Sequence, residues 1–242
     1  MKILNPLYRK MIDAKLTCSK EATKSLFTKD ENVIVLKNGI DIEKFKFKEN
    51  IRNEYIKKLG LDDKLVYGHV GRFVTPKNHD FLIDLFYEIQ KRQDNAVLLL
   101  VGTGELKQKI KNKAHNLNID NKVIFLGFRE DINNLLNCMD IFIFPSFYEG
   151  LPVSIIEAQT SGLPVFVSNG ISDDAKINEN FYKIDSFDIK KWLNLILNIE
   201  LKDRAYAYKN TIQSGFDIKD TCKELEKKYK ELIYEKNNHN SH

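Results

Sequence analysis

Arginine is scarce in this chain. Only six of its 38 basic residues are arginine (Arg9, Arg52, Arg72, Arg92, Arg129 and Arg204), which argues against a phosphodiester groove lined with forked guanidinium groups. The net charge of +4 is too mild and too dispersed to mark a nucleic-acid binder. Cysteine is also sparse. Cys18, Cys138 and Cys222 are odd in number and far apart, so neither a disulfide framework nor a zinc site is expected, and the setting reads as reducing and cytoplasmic. No apolar stretch approaches the roughly 18 residues that span a bilayer, and the amino terminus, MKILNPLYRK, has no signal-peptide core. Internal repeats and Gly/Ser linkers are missing too. Secreted, membrane-spanning and fibrous classes are thereby excluded. What is present is a 242-residue chain with 43% hydrophobic and 30% charged residues, enough for a packed core.

The middle of the chain alternates short apolar runs with helical patterns, the signature of βα units and a parallel sheet. Strands are expected at residues 65–70, 96–101, 122–126, 140–144 and 164–167, each dense in Val, Ile, Leu or Phe as befits strands buried on both faces. Phe81, Leu82, Leu85, Phe86 and Ile89 share one helical face, as do Leu106, Ile110, Ala114 and Leu117. The ends differ. Residues 1–31 read as helical or irregular connecting structure, and 33–37 as a short strand. From about residue 188 the chain reads as helical, with Trp192, Leu193, Leu195 and Ile196 facing inward. A charged last helix covers 218–234, before a frayed polar tail. The expected architecture is α/β, a doubly wound Rossmann-like parallel sheet.

In such a sheet ligands bind beyond the carboxyl ends of the strands, and the informative residues cluster there. The run Gly71-Arg72-Phe73-Val74-Thr75-Pro76-Lys77 follows the first strand and leads into a helix. Two cations beside a helix amino terminus suit a diphosphate; the same spacing also suits an ordinary surface loop with solvated cations. Gly102-Thr103-Gly104 lacks the third glycine of a dinucleotide fingerprint and reads as a tight turn into a helix. After residues 140–144 come Glu149, on the ligand rim, and Glu157, inside an apolar helical run. A buried carboxylate there needs partners. Ribose hydroxyls would serve, and so would a salt bridge or solvent. The five histidines show no metal spacing, and Asp173-Asp174 read as a helix cap rather than a metal site.

These pieces, in this order, resemble the donor-binding lobe of a GT-B glycosyltransferase of the family 4 retaining type. The matching segments are VLKNGIDIEKF at 35–45, GRFVTPKNHDFLI at 71–83, LLLVGTGEL at 98–106 and VIFLGFREDI at 123–132. They are followed by DIFIFPSFYEGLPVSIIEAQTSGLPV at 140–165, which carries a Glu-x7-Glu pattern. The stretch SNGISDDAKI at 168–177 is similar to the branch that builds capsular and extracellular polysaccharides.

The resemblance implies roles. Arg72 and Lys77 would neutralise the donor diphosphate as it leaves, and Glu149 would contact the donor sugar. Gly71 would keep the backbone low, Gly150 and Leu151 would offer N–H groups, Glu157 would hold the ribose, and Phe128 and Arg129 would lie near the base. No Asp-x-Asp motif occurs, and neither metal nor other cofactor is expected. The implied partners are a nucleotide-sugar donor and a glycan or lipid-linked acceptor, with the protein cytoplasmic or peripheral at the membrane's inner face. Residues 1–37 would be the remnant of an amino-terminal lobe, 38–215 the nucleotide-sugar-binding domain, and 216–242 a crossover helix and tail. A full enzyme of this type also has an acceptor-binding lobe. The chain is therefore expected to be a fragment, a split-gene product or a decayed gene, completed by a partner chain or self-association. The competing functions are a transferase half, a binding module that holds a nucleotide sugar without transferring it, and an interaction protein that has lost its ligand.

Overall fold

A computed structural model describes residues 14–27, 32–205 and 207–239. The described chain opens with β1 (Leu16–Thr17), α1 (Lys20–Leu26) and β2 (Ile34–Val35), the two short strands pairing in parallel. Two helices follow, α2 (Ile42–Phe45) and α3 (Glu49–Leu59). The central units are β3 (Leu65–Val70), α4 (His79–Gln90), β4 (Ala96–Val101), α5 (Lys107–Asn116), β5 (Val123–Gly127), α6 (Ile132–Cys138), β6 (Ile141–Phe144), α7 (Val153–Thr160) and β7 (Val165–Ser168). The chain finishes with β8 (Phe181–Ile184), α8 (Ile189–Leu197), α9 (Ala207–Gln213) and α10 (Ile218–His239).

Strands β3 to β8 form one parallel sheet in the order β5-β4-β3-β6-β7-β8. The order reverses between β3 and β6, the doubly wound arrangement expected from the sequence. That reversal opens a crevice beyond the strand ends. Because side chains alternate across the pleat, neighbouring residues of β4 serve different cores. Leu98 and Leu100 join α4, α5 and α8 on one face, whereas Leu99 and Val101 join α6 and α7 on the other.

Several expectations need correction. Lys122 belongs to a 3-10 turn rather than to β5, Asp140 and Pro164 precede their strands, and β2 is only Ile34–Val35. Leu195 faces outward, 42% exposed, while Trp192, Leu193 and Ile196 are buried as expected. The last helix continues beyond 234 to His239. Strand β8 was not anticipated. Of the part of 1–31 read as connecting structure, residues 1–13 and 28–31 lie outside the described residues, as do 240–242 of the tail. The Asp173-Asp174 pair does not cap its own turn. Ser172 Oγ does, accepting from the Asp174 N–H, while Asp174 accepts the Lys20 N–H at the start of α1 and Asp173 pairs with Lys183.

Candidate functional site

Strand β3 delivers Gly71 and Arg72 to the crevice, and the buried Phe73 anchors the loop by stacking on the His79 ring, centroids 4.2 Å apart. A 3-10 turn, Thr75–Lys77, then leads into α4 with Pro76 in its first turn. The β4 loop backs this segment. Gly71 N–H donates to Val101 O and Phe73 N–H to Thr103 O, at 2.9 and 2.8 Å. Gly102 and Gly104 hold φ of 142° and 152°, and a Cβ on either would strike the backbone of Gly71 or Phe73. Their glycine character therefore serves packing behind the Arg72 turn, in keeping with a tight turn rather than a dinucleotide fingerprint.

The β6 loop faces it. Phe147 N–H donates to Pro76 O at 2.8 Å, joining the two loops, and Glu149 N–H donates to Gly170 O at 3.1 Å. Ser168 Oγ donates to Ser146 O at the base of the same loop. A cleft of about 540 Å³ lies between the loops, lined by Arg72, Lys77, Tyr148, Glu149, Gly150 and Ser154 among others. Lys77 Nζ sits 2.8 Å from a Glu149 carboxylate oxygen and 4.5 Å from the Phe144 ring centroid. Arg72 is exposed and makes no ion pair among the described residues. Helix α7 starts after Pro152 without a side-chain cap, and its second residue, Ser154, lines the cleft, so its first turn keeps backbone N–H groups without a side-chain acceptor beside it.

Glu157 follows Ser154 by three residues on α7, and so shares its face. Burial raises its carboxyl to about 7, opposed by the nearby Lys44. Gly150 has open space around it, whereas the Leu151 side chain belongs to the core and leaves only its backbone for a ligand. Phe128 and Arg129 sit elsewhere, at the end of β5, two strands from β3. Phe128 is 74% exposed. Arg129 is committed to Asp131, with Nε and Nη2 at 2.8 and 2.6 Å, and Asp131 also accepts from Tyr55 Oη. Arg129 first, then Tyr55, hold the Asp131 carboxyl far below the usual range against some desolvation.

Sequence reasoning passed over two histidines here. His69 and His79 are buried beneath the Lys77 loop with ring centroids 4.7 Å apart. His69 Nδ1 lies 2.8 Å from Ile143 O, so that nitrogen carries the proton. Burial, then His79, push His69 well below its ordinary value; burial, then Lys77, bring His79 to about 4. Both are neutral near pH 7, adding no charge to the cleft. Tyr148, Ser154 and Gly170 were also missed. All three lie inside the segments that carry the family resemblance, Tyr148 and Ser154 in 140–165 and Gly170 in 168–177, but none was singled out.

The family model described as "Glycosyl transferases group 1" matches residues 51–214, the whole sheet and its flanking helices. The chain belongs to this family of glycosyltransferases. It is 34% identical over 215 residues to EpsF of Bacillus subtilis (strain 168), covering 85% of this chain and 52% of that protein. It is 30% identical over 223 residues to the UDP-Gal:alpha-D-GlcNAc-diphosphoundecaprenol alpha-1,3-galactosyltransferase of Escherichia coli, covering 88% of this chain and 58% of that one. The chain thus spans little more than half the length of these relatives. Its fold superposes on Anabaena HepE in complex with UDP and glucose with a TM-score of 0.82 and 20% identity, over 95% of this chain and 66% of that one. The group 1 chain shares this architecture with GT-B glycosyltransferases.

Proposed function

We propose that this group 1 chain binds a nucleoside-diphosphate sugar in the crevice between β3 and β6 and presents it for retaining, family 4-type transfer. The observation that carries the reading is one cleft lined by the exposed Arg72 together with Lys77 and Glu149, at the reversal of strand order. In this reading Arg72, Lys77 and the start of α7 hold the diphosphate without a metal. The bond from the anomeric carbon to the diphosphate oxygen breaks, an acceptor hydroxyl attacks the same face, and its proton leaves on the departing diphosphate. Charge stabilisation of that leaving group is then the main contribution of this chain. Glu149 takes the sugar hydroxyls and Glu157 the ribose, while Phe128 and the backbone beside Arg129 lie toward the base.

The names of the relatives support a UDP-hexose donor and a glycan or lipid-linked acceptor, which would place the protein in the cytoplasm or at the inner face of the membrane. No helix among the described residues is long and apolar enough to cross one. We assign 38–215 as the donor unit and 216–242 as a crossover helix and tail. Hydrogen bonds between Ile40 and both Phe216 and Ile218 tie the start of the first to the start of the second. Acceptor positioning belongs in this reading to a second lobe or partner chain, for which the exposed Tyr229, Ile233 and Tyr234 of α10 are suited.

Titration with UDP and GDP in the presence of a chelator tests the reading. Saturable binding of one nucleoside diphosphate is expected. Undetectable binding of both at millimolar concentration would overturn it.

A further inference from the structure

The contact between Lys77 and Glu149 occupies the groups that a donor would need. Their side chains are only 16% and 19% exposed, and they meet at 2.8 Å. Lys77 is further held over the Phe144 ring. Glu149 cannot easily retreat, because its loop is fastened on both sides. Phe147 N–H donates to Pro76 O, and Glu149 N–H to Gly170 O. Gly170 packs so closely that a Cβ there would strike Phe147 O, and Ser168 Oγ binds Ser146 O.

We infer that Glu149 discriminates the intact donor from the spent nucleotide: it withholds Lys77 from a bare nucleoside diphosphate and yields it to a nucleotide sugar. The inference rests on the reading of the cleft as a nucleotide-sugar site. A bare diphosphate recruits Lys77 only by parting it from Glu149. That leaves a covered carboxylate without its partner beside a newly arrived anion, and an orphaned charge costs more than the pair contributed. A nucleotide sugar brings phosphate oxygens for Lys77 and hydroxyl donors for Glu149, so both groups exchange one partner for another. After transfer the hydroxyls are gone. Lys77 then returns to Glu149, and the nucleoside diphosphate is released.

Calorimetric titration of UDP and UDP-glucose, with GDP and GDP-mannose alongside, tests this on the wild type, Glu149→Gln, Lys77→Ala and the double variant. Thermal midpoints establish that each variant is folded. Glu149→Gln is expected to bind bare UDP about three- to tenfold more tightly than the wild type, with UDP-glucose gaining less or weakening. In the Lys77→Ala background the same substitution should give no gain. Unchanged or weaker UDP binding by Glu149→Gln would overturn the inference alone. So would an equal gain with Lys77 removed, which would mark simple relief of repulsion. Failure of the wild type and every variant to bind any of the four nucleotides would overturn the site reading and this inference together.

Discussion

The two ends of the sheet use positive charge in opposite ways. At the amino ends of β3 and β6, Arg204 and Arg52 are absorbed into the fold. Arg204 donates through Nε to Ser161 O at 2.7 Å, through Nη1 to Met139 O at 2.7 Å, and through Nη2 to Leu136 O and Ser161 Oγ at 2.9 and 2.7 Å. Its guanidinium also stacks on Phe47 at 4.3 Å. Burial, then the neighbouring Arg52, bring it down to about 9. Arg52 reaches Asn137 O and Met139 O at 3.2 Å and Asp140 at 2.7 Å, while Asp140 accepts the Val66 N–H. Together these groups satisfy carbonyls that the end of α6 leaves open. At the carboxyl ends of the same two strands, Arg72 has no ion pair among the described residues, and Lys77 holds a single carboxylate. A cation whose donors are saturated by backbone staples the fold. One whose donors remain open is available to a ligand.

The largest test of that contrast is Arg204→Ala, expected to cost about 3 kcal/mol of unfolding free energy, because several carbonyls lose a charged donor together. Urea unfolding measures it, and a change below about 0.5 kcal/mol would erase the distinction between the two ends. Arg72→Ala should do the reverse. Unfolding should stay within about 0.5 kcal/mol of the wild type, while UDP affinity falls by roughly 1.5–3 kcal/mol if the guanidinium makes a charged hydrogen bond. A finer comparison lies within the ligand end itself. Gly170→Ala should destabilise by about 1–3 kcal/mol through overpacking against Phe147, whereas Gly150→Ala, with open space around it, should stay within about 0.5 kcal/mol.

Glu157 supplies a comparison read through pH. Its folded value of about 7 stands above the ordinary 4.5, so the folded state holds the proton more tightly than the unfolded chain. Its contribution to stability is full below about 4.5 and is lost as pH rises through about 7. Glu157→Gln should remove that decline from a pH series of unfolding curves. In the proposed reading, ribose hydroxyls would donate to the ionised carboxylate. Wild-type affinity for UDP-glucose should therefore rise by up to about tenfold from pH 6 to 8, and Glu157→Gln should be flat across the same range.

Much of the architecture was legible because the central strands are buried on both faces. β3 and β4 read to the residue, since continuous apolar runs such as AVLLLV have no competing pattern. β8 did not. In FYKI only Phe181 and Ile184 are buried, and the strand is an edge flanked by Asn180 and Asp185, so it resembles a loop. At the site, Arg72, Lys77 and Glu149 were found from their places after strands β3 and β6 and Gly150 from the family resemblance, and one cleft is lined by all four. His69 and His79 read as unremarkable, because a histidine within an apolar strand or at a helix start shows nothing of its neighbours. Phe128 and Arg129 could be placed after β5 from the sequence, but not the commitment of Arg129 to Asp131.

The sequence by itself determined the alternation of strands and helices, and with it the loops that deliver charge to the carboxyl end of the sheet. Those depend on local periodicity and on which residue follows which strand. Only the tertiary structure decided which charges were already satisfied. Arg204 meets carbonyls of residues 136–161, Glu149 is braced by Gly170, and Lys77 is joined to Glu149 across two loops. Hydrogen-bond saturation depends on atoms brought together from distant parts of the chain, and no local pattern records it.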